Sequence, residues 1–361
     1  MNRHERRKQG KAVTPGKAAY TPAAGPMDAV LANALRQHQL GQTGAADLLY
    51  RQVLEKAPDH PVALHGAGVL AHGTGRLADA AILLGRAVAV QPDFALAHTS
   101  LALVLRAQGR IDEAAQALQR AAALDPGQAE TFANLGSLEQ ERGNSAAAIA
   151  AYKQALAVAP GFAEVHFNLG IVYRQLERLD EARAAYEAAI AINPAFAEAH
   201  FNLGNVLLAQ QQPAAAIAAF RRTIAINPAH AKAAINLAAA LSGDGQAGEA
   251  ERVYADIVAR QPGHAEALHK LGLLREAVGD IPAALSFFER AVEAAPHEPE
   301  FALALGHAHQ LNDRLDAAIK AYGQAYRLNE KLLLRIGTAL AGHGHGRLWL
   351  RPSALKRALL G

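Results

Sequence analysis

One interval dominates this sequence: similar residues recur every 34 positions, without an insertion, from residue 27 to residue 332. When Ala163 is numbered position 1 and the chain is stepped by 34 in both directions, position 20 is alanine in all nine frames. Position 8 is always glycine or alanine, and position 24 is always tyrosine, phenylalanine or leucine. Because a fixed period of this length is typical of repeat architectures, the sequence predicts an array of small units that bury their apolar faces against their neighbours.

Each unit is predicted to be a pair of helices. In the frame 163–196, the apolar residues from Leu169 to Tyr173 follow helical spacing, and those from Ala182 to Ile190 follow it again. Pro194 ends the second helix, because proline lacks the amide proton that a helix interior needs. Position 15, in the turn between the helices, is glycine in six frames, which suits a left-handed helix C-cap. The other three frames have Glu177, Gln211 and Asp313.

The same frame contains a recognisable set of residues: His166, Leu169, Gly170, Tyr173, Ala182, Tyr186, Ala189 and Pro194. This set resembles the tetratricopeptide pattern W-x-x-L-G-x-x-Y, A-x-x-x-F and P, with histidine at the tryptophan position. The resemblance to the tetratricopeptide repeat family covers most of the chain. It implies an all-α, right-handed superhelical solenoid of nine tandem 34-residue repeats plus a C-terminal capping helix. The repeats most resemble those of O-linked N-acetylglucosamine transferases.

The frame also divides the chain into segments. A basic tail without an apolar core, expected to be disordered, precedes the repeats, and a capping helix and a basic, apolar tail follow them. In this tail Pro352 and Ser353 could open a short basic helix, and Trp349 and its leucine neighbours are expected to dock on the last repeats or on a partner. The predicted boundaries are 1–26 for the first tail, 27–60, 61–94, 95–128, 129–162, 163–196, 197–230, 231–264, 265–298 and 299–332 for the repeats, 333–342 for the cap and 343–361 for the second tail.

Charge is concentrated in the tails. The whole chain has a net charge of +3, and residues 1–20 and 331–361 have net charges of +5 and +6, so residues 21–330 have −8. The basic residues of the tails therefore account for the high isoelectric point of the chain, which is about 9.1. Nucleic acid is an unlikely partner for the repeats. The chain has no cysteine, no run of 18 apolar residues and no signal peptide, so a cytoplasmic and, from its alanine and arginine content, bacterial protein is expected.

No residue pattern indicates catalysis. The glycine-rich stretch that starts at Gly66 matches a degenerate dinucleotide fingerprint but falls on a predicted helix without a preceding strand, so it is interpreted as packing. His343 and His345 lie in a glycine loop without neighbouring carboxylates, and no metal site is expected there. His98, His166 and His200 share position 4 and are expected to be partly buried rings. The sequence predicts no enzyme activity, no cofactor, no metal and no small-molecule substrate.

One polar feature indicates a binding site. Asparagine recurs at position 6 of four consecutive first helices, and the family resemblance implies that positions 2, 5, 6, 9, 12 and 13, here called the groove-facing positions, line a concave surface. An asparagine amide both donates and accepts, so the row could pair with the backbone of an extended peptide, or it could brace neighbouring helices. The predicted peptide-binding residues are Asn134, Asn168, Asn202, Asn236, Phe167, Phe201, Asn205, Arg174, Glu164 and Glu198.

The resulting prediction is a non-enzymatic scaffold that binds protein or peptide segments in its groove. The alternative is the repeat half, or an adaptor, of a protein O-glycosyltransferase. That alternative needs a sugar-nucleotide domain on another chain or beyond this one, because only 29 residues follow Leu332.

Overall fold

The computed structural model of the chain describes residues 26–342 and 352–360. These residues form helices and turns without a strand, which confirms the all-α prediction. The predictions for the first tail up to residue 25, for His343 and His345 and for Trp349 lie outside the described residues. The helices belong to two compact units, Met1–Pro194 and Ala195–Gly361.

The first unit contains helices α1 to α10. Each odd-numbered helix, here called a first helix, packs on the even-numbered helix that follows it, and that second helix packs on the next first helix. The bounds are α1 Pro26–Gln39, α2 Thr43–Lys56, α3 Pro61–Gly73, α4 Leu77–Val90, α5 Ala95–Ala107, α6 Ile111–Leu124, α7 Ala129–Glu141, α8 Ser145–Val158, α9 Ala163–Gln175 and α10 Leu179–Ile192.

The second unit contains helices α11 to α20. The same pairing of first and second helices continues through α18, and a 3₁₀ turn at Glu330–Leu332 leads into the last two helices. The bounds are α11 Ala197–Ala209, α12 Pro213–Ile226, α13 Ala231–Gly243, α14 Ala247–Arg260, α15 Ala265–Ala277, α16 Ile281–Ala294, α17 Pro299–Leu311, α18 Leu315–Leu328, α19 Leu333–Gly342 and α20 Pro352–Leu360. The tandem arrangement of packed hairpins confirms the solenoid class.

The contact between the two helices of a pair explains the small residue at position 8. The Tyr186 ring of α10 is fully buried and lies against Gly170 of α9, where an added Cβ atom would be 2.6 Å from the ring. The alanine at position 20, such as Ala182, is fully buried in the same seam. Position 8 is therefore small because the ring at position 24 occupies the space that a larger side chain would need.

The turn inside each pair requires an unusual backbone conformation. All six glycines at position 15 have positive φ, as the sequence predicts. Glu177, Gln211 and Asp313 occupy the same position with φ of 58°, 59° and 56°. Since the left-handed region is unfavourable for residues with a Cβ atom, the packing of the two flanking helices must hold these three residues there.

The last two helices cover the end of the second unit. Leu355 and Leu359 of α20 are buried in one cluster with Tyr322 and Tyr326 of α18, and Ile336 of α19 joins them. The backbones of α18 and α20 lie so close together that a Cβ atom on Gly323 of α18 would collide with the Leu359 carbonyl oxygen of α20. The short basic helix that Pro352 opens is therefore confirmed, and part of the predicted tail is a packed helix.

Candidate binding surface

Two asparagines of the predicted row lie in the first unit with their amides open. Asn134 on α7 and Asn168 on α9 are half-buried. Within residues 26–342 and 352–360, neither side chain has a hydrogen-bond partner. An open amide at the same position of consecutive first helices offers one donor and one acceptor per helix to an extended chain.

The other predicted residues of α9 surround Asn168. Glu164 and Arg174 are exposed, and Phe167 is half-buried with its ring centroid 5.7 Å from that of Tyr186. Phe167 therefore joins the surface to the core of the pair, while the two charged side chains remain in contact with solvent. The surface of α9 combines a polar amide, an aromatic edge and charges of both signs.

The asparagines of the second unit are engaged in hydrogen bonds. The Asn202 amide donates to the Glu198 carbonyl oxygen of its own helix at 2.8 Å. The Asn236 amide on α13 donates to the Asn205 side-chain oxygen on α11 at 2.7 Å. The structure thus brings Asn205 and Asn236 together as a link between two first helices, which is the bracing role that the sequence left open.

Glu198 and Phe201 meet a histidine that the sequence analysis did not select. The His230 Nδ1 atom accepts a hydrogen bond from the Ala233 amide at the start of α13, so the ring proton lies on Nε2. The His230 Nε2 atom lies 3.6 Å from the Glu198 carboxylate, and the ring centroid lies 4.7 Å from that of Phe201. His230 therefore caps its helix and contacts two predicted site residues on the preceding first helix.

The bracing role extends to residues that the sequence analysis missed. His65 on α3 bonds to the Ser100 hydroxyl on α5 at 2.9 Å, and both side chains are buried. Arg106 on α5 forms an ion pair with Glu141 on α7. Each pair is separated by 35 residues, one more than the repeat. Complementary polar residues 35 apart are thus a signal from which these contacts could have been found.

The histidines at position 4, His98, His166 and His200, are all half-buried, as expected. His98 and His166 are half-buried, and the Nε2 atom of each lies 3.0 Å from a proline carbonyl oxygen six residues earlier, Pro92 for the former and Pro160 for the latter. Because a carbonyl only accepts, each ring donates from Nε2. These two rings occupy the position at which the tetratricopeptide pattern has tryptophan, and each links the start of a first helix to the preceding turn.

Two further findings concern the described part of the chain as a whole. None of its helices combines the length and the apolar character that a membrane crossing needs. Residues 26–342 and 352–360 contain no group of three or more histidine, aspartate or glutamate side chains arranged to hold a metal ion.

Three family models match the sequence. A model described as a TPR repeat matches residues 136–176 and 170–211, and two models described as tetratricopeptide repeats match residues 207–274 and residues 31–88, 83–129 and 269–332. Together the matches cover most of the chain. All three models describe the repeat in general, so the resemblance to the repeats of O-linked N-acetylglucosamine transferases remains a prediction. A comparison with curated protein sequences gives no match.

Solved structures of repeat proteins resemble the chain at low sequence identity. YrrB, a TPR protein with an unusual peptide-binding site, is 19% identical with a TM-score of 0.46, over 51% of this chain and 95% of YrrB. Pseudomonas aeruginosa PilF is 25% identical with a TM-score of 0.47, over 57% of this chain and 94% of PilF. A tetratricopeptide repeat protein from Parabacteroides merdae is 16% identical with a TM-score of 0.48, over 73% of this chain and 98% of that protein.

Proposed function

The chain belongs to the tetratricopeptide repeat family, and we propose that it is a non-enzymatic scaffold that binds extended peptide segments of other proteins along the groove-facing positions of its first helices. Proteins of this family are generally non-catalytic and bind other proteins or peptides. Stacked helical repeats present long surfaces of equivalent positions, which suit an extended ligand.

The open amides of Asn134 and Asn168 are the observation that carries this proposal. Packed helices lie about 8–10 Å apart, so amides on consecutive first helices can reach peptide groups about three residues apart on an extended strand. Backbone amides and carbonyls have the donor and acceptor that an asparagine side chain complements. We propose that the neighbouring predicted residues of the first unit, Glu164, Phe167 and Arg174, form the rest of its contact surface. For the second unit, taken by itself, we propose Glu198, Phe201 and Asn202 as contact residues.

Asn205 and Asn236 have a different part in this proposal. Their mutual hydrogen bond already uses the donor of one amide and the acceptor of the other. A peptide that engaged them would have to replace this bond, which reduces the net gain. We therefore propose that this pair holds α11 and α13 together and contributes to binding only through their spacing.

The proposal predicts that the Asn134→Ala/Asn168→Ala variant folds normally and binds partners about 5- to 150-fold more weakly, because each lost hydrogen bond has a net contribution of about 0.5–1.5 kcal/mol. Partners identified by affinity capture and mass spectrometry would be titrated against both proteins. The loss should be similar for partners of different sequence, since backbone contacts do not depend on side chains.

The matched control is Asn205→Ala/Asn236→Ala, which also removes two amides. It should lower the stability of the second unit by about 0.5–1.5 kcal/mol and change partner affinity less than the first variant does. Normal binding by the Asn134→Ala/Asn168→Ala variant would contradict the proposed site. Unfolding of that variant would show that these amides brace the fold as well.

A further inference from the structure

The second unit has a cavity at groove-facing positions that lie outside the predicted site. Its volume is about 370 Å³, within the range of roughly 300–1,000 Å³ for ligand pockets. Side chains of α15, α17 and α19 line it, with Tyr322 from α18. The lining residues from α15 and α17 are His269, Leu273, Glu276, Glu300, Leu303, Ala304 and His307. They occupy positions 2, 5, 6, 9 and 12 of their repeats, so the cavity belongs to the same set of positions as the asparagine row.

One wall of the cavity is apolar and partly open to solvent. Leu273 on α15 is 38% exposed, although it lines a cavity large enough to enclose a side chain. Leu303 and Ala304 on α17 and Ala339 on α19 continue this wall and are half-buried. An apolar side chain placed here would remove all four from water, which favours burial by roughly 25 cal/mol per Å².

The inner polar group of the cavity is the Glu276 carboxylate. Its Oε1 atom accepts a hydrogen bond from His307 Nδ1 at 3.2 Å, and this bond raises the pKa of His307. Its Oε2 atom is buried and has no hydrogen-bond partner among the described residues. A buried carboxylate oxygen without a donor is costly, and a rotation of the Glu276 side chain toward a charged donor on a ligand would satisfy it.

The outer polar group is the ion pair between Glu300 and Arg335. The Arg335 guanidinium donates to both carboxylate oxygens, at 2.6 and 3.1 Å, and both side chains are at least half exposed. Since exposed pairs contribute little, a ligand cation can compete for Glu300 at small cost.

The remaining titratable group facing the cavity is His269. Its ring lies between the Phe288 and Phe301 rings, with centroids 5.7 and 4.7 Å away. Burial lowers the pKa of His269 to about 4, and the Lys270 charge acts in the same direction, so the ring is neutral near pH 7. The charged groups of the cavity are therefore the carboxylates of Glu276 and Glu300, the Arg335 guanidinium and, when it is protonated, the His307 ring. Among the described groups that line the cavity, the Glu276 carboxylate is the one with an oxygen that lacks a donor, so it is the group that a ligand cation would engage.

We propose that this cavity binds a peptide segment of a partner protein by taking an apolar side chain onto Leu273 and Leu303 and a neighbouring lysine or arginine onto Glu276. This assignment rests on the proposed scaffold function and adds the sequence preference that backbone pairing cannot provide. The apolar wall selects the first side chain by size, and the carboxylate selects the second by charge and hydrogen bonding.

The test is a selection from a random-peptide phage library on the full chain, followed by titration of an enriched peptide by fluorescence anisotropy. The selected peptides should pair an aliphatic residue with a lysine or arginine. Glu276→Gln keeps the size of the side chain and should weaken a lysine peptide about 10- to 100-fold, while the same peptide with glutamine in place of lysine should bind both proteins alike. Leu273→Ser should weaken both peptides.

Glu249→Gln is the matched control, because Glu249 lies on the second helix α14 in an exposed pair with Arg221, away from the cavity. It should leave the affinity of the lysine peptide unchanged. If peptides bind and only Asn134→Ala/Asn168→Ala weakens them, the cavity assignment is overturned and the scaffold function stands. If neither the phage selection nor affinity capture gives a ligand, both the cavity assignment and the proposed scaffold function are overturned. An enriched motif with acidic residues also overturns the assignment.

Discussion

Replacement of Phe220 by alanine is expected to cost about 3–5 kcal/mol in the stability of the second unit, the range for removal of a buried aromatic ring. Phe220 is fully buried on α12 and packs in one cluster with Leu237 and Leu241 of the following helix. A Cβ atom on Gly204 would lie 2.5 Å from its ring, so the ring rests directly on the α11 backbone. The regular helices around it cannot collapse into the space, and the cavity term therefore adds to the transfer term.

Hydrogen exchange measured by mass spectrometry on α11 and α12 reports this loss locally, which suits a repeat array whose unfolding need not be two-state. The control is Phe220→Leu, because Leu84 and Leu118 occupy position 24 in other frames of this chain. It should cost less than Phe220→Ala. A loss below about 1 kcal/mol for the alanine variant would show that the pair is not built around this ring.

Acid is expected to weaken the packing of α3 on α5 through one buried histidine. Burial lowers the pKa of His65 to about 4, with a smaller effect of His38 in the same direction, and only 5% of the residue is exposed. Histidine in an unfolded chain has a pKa of about 6.5. Above that pH neither state binds the proton and the full stability is present. As the pH falls from about 6.5 to about 4, only the unfolded state gains the proton, and about 3 kcal/mol is lost.

The measurement is amide hydrogen exchange in α3 and α5 from about pH 8 to about pH 4, corrected for the intrinsic pH dependence of exchange. His65→Gln keeps a polar partner for Ser100 and cannot take up a proton. This variant should lose less stability than the natural chain over the same pH range. An identical pH dependence in the two proteins would show that His65 does not carry the effect.

The 34-residue period of the sequence was sufficient to predict the helices, because the contacts that define each pair of helices lie within one repeat. Every frame repeats the same small residue at position 8 and the same ring or leucine at position 24, so one hairpin predicts the others. Glycine at position 15 predicted the left-handed backbone conformation of the turn in six frames. Glu177, Gln211 and Asp313 adopt the same conformation, because the two helices that flank them pack as in the other frames. Local pattern and packing agree at these positions, which is why the fold could be read from them.

The contacts between first helices were less predictable, because they depend on pairs of residues from different frames. Asn236 looks like Asn168 in the sequence, but only Asn236 faces a partner, Asn205, on the neighbouring helix. His65 occupies a groove-facing position and is nevertheless buried beside Ser100. The sequence predicted that the apolar tail docks on the last repeats or on a partner, and the leucines of α20 do pack on α18. The place of this contact at Gly323 was not predictable, because that surface exists only after α18 has folded. The predicted site residues therefore divide into open and bracing groups only when the structure is known.

The central claim is that partner segments lie on the groove-facing positions of the first helices. A photo-crosslinking amino acid placed at Asn168 on α9, or at the exposed Lys153 on α8, tests it most directly against a partner obtained by affinity capture. The Asn168 position should yield a covalent adduct with the partner, and the Lys153 position should yield none. An adduct at Lys153 without one at Asn168 would place the partner on the second helices and contradict the account.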